Sequence, residues 1–230
     1  RLRLASQLIT TRYAIMLADD EFHLSHGLHT AMTCLKKGKE AGRNVVGCIG
    51  QSLRFKFDPS ASSMTIGEGY PHQNYHVTDK KIEDRLRFAM ADYSAATAYA
   101  LLTSLCWRET WGSVDSWSSP YATELQQAFA TYISGEFVST DEIYWMRSEE
   151  QSPVDIEGEF ERRLSFLNWW QGRIYRIEKK KFVKVLAEKI VDKDGSTFDV
   201  AIKKINDAVQ AYMDGANQLM EGEPNFRSRV

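Results

Sequence analysis

The stretch Gln51-Ser52-Leu53-Arg54-Phe55-Lys56-Phe57-Asp58-Pro59-Ser60-Ala61-Ser62-Ser63-Met64-Thr65-Ile66-Gly67 differs in period from the chain around it. Leu53, Phe55 and Phe57 alternate with Ser52, Arg54 and Lys56, the period-two pattern of a half-buried strand. Asp58-Pro59-Ser60-Ala61-Ser62 then turns the chain, because proline fixes φ and Asp and Ser side chains bond their own backbone. Met64-Thr65-Ile66 supplies the return strand, followed by Gly67-Glu68-Gly69. The reading is a β-hairpin over residues 52-67, with residues 45-49 as a further short strand.

On both sides of the hairpin the apolar period lengthens to that of a helix. Upstream, residues 4-37 hold no Pro and no Gly before Gly27, and Leu8, Ile15, Phe22 and His29 recur every seven residues. Lys36, Lys37 and Lys39 crowd the end of this stretch, where cations suit the negative pole of a helix dipole, and Gly38 and Gly42 break the pattern. Downstream, Thr78 or Asp79 can cap a second long helix with the stripe Ile82, Leu86, Met90, Tyr93, Thr97, Leu101 and Leu105. Its alanine-rich middle permits close approach and places it at the centre of a bundle.

Ser119-Pro120 opens a third helix, with Pro at the first helical position, and Gly135 ends it. Ser139-Thr140-Asp141-Glu142 has the form of a capping box and starts a short helix that Pro153 closes. From Phe160 to Ile190 the apolar residues keep helical spacing, a rod of roughly 50 Å at 1.5 Å per residue, with Gly172 as a kink. A last helix, capped by Ser196 or Asp199, runs to Met220. The fold class read from these elements is mainly α: a multi-helix bundle of about six helices, one very long near the C-terminal half, with a small β-hairpin insertion around residues 52-67. Residues 1-230 form a single helical domain in this reading. A weak subdivision separates a helical core carrying the hairpin (1-135) from a charge-segregated helical half (136-230).

Composition agrees with a globular protein: 230 residues, 43% hydrophobic and 26% charged, which excludes a disordered tail, a collagen-like fibre and a disulfide-stapled miniprotein. A net charge of −2 gives no global attraction to nucleic acid or anionic membrane. Three cysteines, Cys34, Cys48 and Cys106, are an odd number without CxxC spacing, which points to a reducing, cytoplasmic setting. No stretch reaches the ~20 apolar residues of a membrane span. The chain opens at Arg1 rather than Met, so the sequence is compatible with an upstream targeting segment.

All five histidines precede residue 77, in two clusters: His23, His26 and His29, then His72 and His76. On one helix, Asp19 and His23 are four apart, while His23, His26 and His29 follow at intervals of three, so neighbours share a face. With the His72/His76 loop folded back, imidazoles and a carboxylate would form a ligand set for zinc or a similar divalent ion. Ordinary surface or hydrogen-bonded core histidines account for the same residues. Arg12, Asp19 and His26 recur by sevens, either fixing packing register or lining a cleft in which Asp19 tunes His26 as an acid–base. The catalytic candidates are therefore Asp19 and His26, and the metal candidates Asp19, His23, His26, His29, His72 and His76. Asp192-x-Asp194-x-Ser196 begins like a calcium loop, but Thr197 and Lys203 stand where Gly and Glu are required, and a turn with a helix cap explains it.

Charge is segregated in the second half. Residues 135-161 carry nine acids and one base, a net −8, while residues 171-189 carry seven bases and two acids, a net +5. Arg173, Arg176, Lys180, Lys181 and Lys184 share a segment with Trp169, Trp170 and Tyr175. Such a face could contact phosphates and stack bases, or pair with an acidic segment of this chain, of a second copy or of another protein. Trp107, Trp111 and Trp117 surround the 112-119 loop, where they serve core packing or a ligand pocket. There is no phosphate loop, dinucleotide fingerprint or nucleophile elbow. The expected function is that of a non-enzymatic protein-interaction or assembly protein, without a cofactor, binding a protein partner or itself. The alternatives are a metal-dependent enzyme built on Asp19/His23/His26 and His72/His76, and nucleic-acid binding through the basic helix 173-184.

Overall fold

The computed structural model describes residues 1–58, 60–69, 72–148 and 163–222, with side chains of the last helix described to residue 216. In chain order the elements are α1 (Leu2–Leu8), β1 (Tyr13–Ala14), β2 (Phe22–His23), α2 (Ser25–Glu40), β3 (Val45–Asp58), β4 (Ser63–Glu68) and α3 (Ile82–Ala91). They continue with β5 (Leu101–Thr103), α4 (Ser104–Glu109), α5 (Pro120–Ser134), β6 (Glu136–Ser148), α6 (Phe166–Gln171), α7 (Arg176–Asp194) and α8 (Phe198–Gly222).

The strands form one six-stranded sheet in the order β1-β5-β3-β6-β2, with β4 paired to β3 off that path. Among the described residues only β3 and β6 run parallel; the other pairings are antiparallel. β3 organises the sheet. Its first six residues, Val45 to Gly50, are all buried, so both faces are covered, and the sequence there is an apolar run rather than an alternation. α2 packs against β3 and β6, and α5 reaches the same two strands. Val45 lies against Gly38 of α2, and Phe137 of β6 meets Tyr132 of α5 ring edge to face at 5.9 Å. Beyond Gly50 the strand leaves this cover, keeps β6 on one edge as far as Phe55 and from Leu53 gains β4 on the other as a hairpin ribbon, pairing Phe55 with Ile66 and Phe57 with Met64. The ribbon is the hairpin read from the sequence, and Phe57, Met64 and Ile66 on it are about half exposed.

The helices α3, α5, α7 and α8 pack on one another. Phe182 of α7 is fully buried, with ring centroids of Trp117, Phe129, Phe166, Trp169 and Trp170 between 5.7 and 6.3 Å away.

The mainly α bundle with a small hairpin is thus corrected to an α/β fold: among the described residues, eight helices and a six-stranded mixed sheet. The all-α reading and the helical bundle fall with it. Three stretches account for the difference. The heptad Leu8, Ile15, Phe22, His29 is a coincidence of spacing, because its members lie in α1, a loop, β2 and α2. The expected second helix ends at Ala91; a 3-10 turn, the three-residue strand β5 and the short helix α4 follow. β5 is too short and too deeply buried to show a period of two. The capping-box residues Ser139 to Glu142 lie inside β6. There the register steps from Ile49–Ser139 to Gln51–Ile143, so two residues of β3 face four of β6. The excess bulges outward and carries exposed Asp141 and Glu142. Polar residues suit such a bulge as well as they suit a helix cap.

The long rod is also interrupted. Its start and the Pro153 boundary lie outside the described residues. The remainder is α6, an extended Gly172, a 3-10 turn and then α7. α5 follows its sequence punctuation, with Pro120 at its first turn and Gly135 at its end. α8 begins after the Ser196 turn as read, and α7 ends on Gly195 in the left-handed conformation at φ 71°. Among the described residues no helix is long and apolar enough to cross a membrane.

Candidate functional site

The structure separates most of the histidine candidates. Asp19 is exposed in the loop before β2, with no helix joining it to His23. His23 ends β2, its Nε2 3.2 Å from the Met16 carbonyl and its ring edge-on to Tyr144 at 5.0 Å. Burial pushes its pKa down. His26, in the exposed first turn of α2, pairs with Glu142 of the β6 bulge at 3.3 Å rather than with Asp19. His29 is exposed on the same helix. His72 is 1% exposed, bonds the backbone of Gly50 and lies 3.1 Å from Ser94 Oγ; burial lowers its pKa to about 4. His76 is exposed, and its Nδ1 accepts from the Ser139 N–H at 3.3 Å. Among the described residues no three His, Cys, Asp or Glu side chains are grouped to hold a metal ion. Instead, His23, His26, His72 and His76 bond backbone or single side chains.

One buried acid escaped the sequence reading. Glu21 is 6% exposed, accepts from Trp145 Nε1 at 3.0 Å and faces Arg147 Nε at 3.6 Å. Burial pushes its pKa up. It ties the loop before β2 to β6 and is structural by position.

The basic segment has a more definite geometry. α7 buries Phe182, Leu186, Ala187 and Ile190, residues at three- and four-residue spacing, against the core. This leaves Arg176, Lys180, Val183 and Lys184 on an outward stripe. α8 buries Ala201, Ile205, Ala208 and Val209 and turns Phe198, Ile202 and Asn206 the other way. Where the two outward edges meet, with Trp170 of α6 at one end, they enclose a groove of about 520 Å³. Its floor is apolar (Trp170, Val183, Phe198, Ile202) and its rim cationic (Arg176, Lys179, Lys180, Lys184).

The cations are not equivalent. Lys179 donates to the carbonyls of Trp170 and Gly172, the latter at 3.0 Å, and so closes the end of α6. Lys181 points elsewhere, 2.8 Å from Asp115 and 5.4 Å over the Trp117 ring. Lys184 pairs with Glu188 one turn on, at 3.7 Å. Arg173, Arg176 and Lys180 have no acidic partner within 4.0 Å among the described residues. Beside them Ile174 is 83% and Ile177 81% exposed. On the helix surface Ile177 neighbours Lys180 and Lys181, so the groove continues into an apolar shoulder.

Of the five basic candidates, the groove gathers Arg176, Lys180 and Lys184, Arg173 flanks it and Lys181 serves the core edge. Sequence reasoning missed Phe198 and Ile202, which belong to another helix; their spacing of four, outside the buried stripe of α8, was the available sign. The arrangement suits a chain that presents apolar side chains between carboxylates. Burying one aliphatic side chain contributes about 1.5–3 kcal/mol, against about 0–1 for an exposed ion pair. For a ligand in such a groove, apolar contact would dominate affinity and the cations would orient the encounter. No known family model matches the chain, and no curated protein matches it in sequence.

Proposed function

We propose that this is a non-enzymatic binding protein that docks an acidic, amphipathic segment of a protein partner in the α7–α8 groove. The observation that carries the reading is the apolar floor framed by Arg176 and Lys180, which have no acidic partner among the described residues, and extended by the two exposed isoleucines. A second copy docked groove to groove is the poorer occupant, because that contact would set the cationic rim against itself. Nucleic acid is also the poorer one. Its recognition needs phosphate contacts joined to stacking faces; Trp170 and Phe198 offer rings, but Ile174, Ile177, Val183 and Ile202 make up the larger part of the apolar surface, are aliphatic and match apolar side chains. The reading includes a reducing, cytoplasmic setting, supported by the three unbridged cysteines.

The test titrates the full chain with a synthetic helical peptide bearing leucines at i and i+4 flanked by glutamates, followed by calorimetry and Trp emission. Saturable binding is expected, weakened roughly tenfold or more by Lys180→Glu. Equal binding by Lys180→Glu, or binding of single-stranded polyadenylate in place of the peptide, would overturn the reading.

A further inference from the structure

A second cleft, of about 330 Å³, opens where the end of α2, the start of β3 and the end of β5 meet. Four cations from separate parts of the chain line it: Arg12 before β1, Lys39 in α2, Arg43 in the α2–β3 turn and Lys193 near the end of α7. Among the described residues the one carboxylate on its wall is Glu109, already engaged by Lys193 at 4.0 Å and by Ser134 Oγ at 3.4 Å. Arg43 is fixed from behind. Its Nε and one terminal nitrogen both donate to Glu136 Oε2, the first at 2.9 Å, which leaves the other terminal nitrogen for a ligand. Arg12 and Lys39 are exposed and have no acidic partner within 4.0 Å among the described residues.

Counting Glu136, which neutralises Arg43, four positive and two negative groups around the concavity leave an excess of two charges, those of Arg12 and Lys39. In a half-enclosed site they repel one another more strongly than on open surface, and a dianion relieves that repulsion. A planar carboxylate is satisfied by one bidentate guanidinium. Cations approaching from several elements instead match the oxygens of a tetrahedral phosphate. The wall also offers apolar surface at Leu35, Val45 and Val46, and the volume lies within the usual small-ligand range, which begins at about 300 Å³.

We propose that this cleft binds a small molecule through its phosphate group, with Arg12 and Lys39 closing on the anion beside the fixed Arg43. The test uses the full chain and inorganic pyrophosphate as probe, by calorimetry at low ionic strength. Expected is saturable one-to-one binding, weakened roughly tenfold or more in Arg12→Gln/Lys39→Gln and unchanged in Lys180→Gln on the other groove. Both side chains are exposed, so the variants should melt cooperatively without ligand, and each single variant should give a partial loss. No saturable heat up to millimolar pyrophosphate, undiminished binding by the double variant, or equal binding of succinate would overturn the assignment.

Discussion

Truncating Phe182 to alanine tests the packing on which the α7–α8 groove rests. The side chain is fully buried and contacts five aromatic rings from the 114–118 loop, α5 and α6. Phe→Ala in a core costs about 3–5 kcal/mol, the transfer of the ring plus the cavity left behind. The upper half of that range applies here. The neighbours are large, rigid rings held by their own bonds, Trp117 Nε1 to Gln126 at 2.8 Å and Trp169 Nε1 to Glu178 at 2.8 Å, so they cannot collapse into the space. A loss of about 4 kcal/mol is a large share of the 5–15 kcal/mol by which a domain is stable, and corresponds to a fall in Tm of roughly 10 °C. Urea unfolding should be followed by far-UV circular dichroism, since the substitution alters Trp emission directly. Phe198→Ala, on the 40%-exposed ring at the groove, is the comparison and should cost below about 1 kcal/mol. Equal costs for the two, or a loss below about 1 kcal/mol at Phe182, would refute the packing of α6 on α7 and with it the groove.

Three further outcomes follow from the same geometry. Gly27→Ala should destabilise by more than about 2 kcal/mol despite alanine's helix preference, because the added Cβ would stand 2.4 Å from the Ile143 carbonyl oxygen; chemical unfolding measures it. His72 has a folded pKa of about 4 against 6.5 unfolded, so the unfolded chain binds more protons between those values. Its share of stability is complete above pH 6.5 and falls by about 3 kcal/mol as pH drops to 4, a slope that His72→Gln should flatten in urea titrations. Ile177→Asp should change Tm by less than about 2 °C, since the side chain is 81% exposed, while reducing affinity for the acidic peptide by roughly tenfold or more.

The parts of the fold that the sequence disclosed are those where solvent enforces a period or a residue enforces a boundary. The ribbon alternates because it is exposed, and α5 is bracketed by Pro120 and Gly135. β5 and the first half of β3 are wrapped on both sides, so nothing there distinguishes strand from buried helix. β1 and β2 have two residues each, too few for any pattern, and are strands only because β5 and β6 lie beside them. The site divides likewise. Arg176, Lys180 and Lys184 are neighbours on one helix and could be grouped from spacing alone. The floor from Phe198 and Ile202 depends on how α8 lies against α7, which no local pattern encodes. The histidines show the converse: closeness in sequence did not survive the break between β2 and α2.

β3 is a single strand with two employments, core at one end and surface at the other, and the bulge of β6 opposite Gly50 marks the passage between them. Its pairing on one edge passes from β5 at Gly47–Cys48 to β4 at Leu53. One residue inserted after Leu53 would turn Phe55 and Phe57 to the opposite side of the ribbon and leave the helix-covered half undisturbed. The same insertion just before Gly50 would invert every side chain downstream and strip Tyr144 of its counterpart. Tolerance to length change should therefore switch abruptly along a few residues, making the ribbon free to diversify while its root stays fixed.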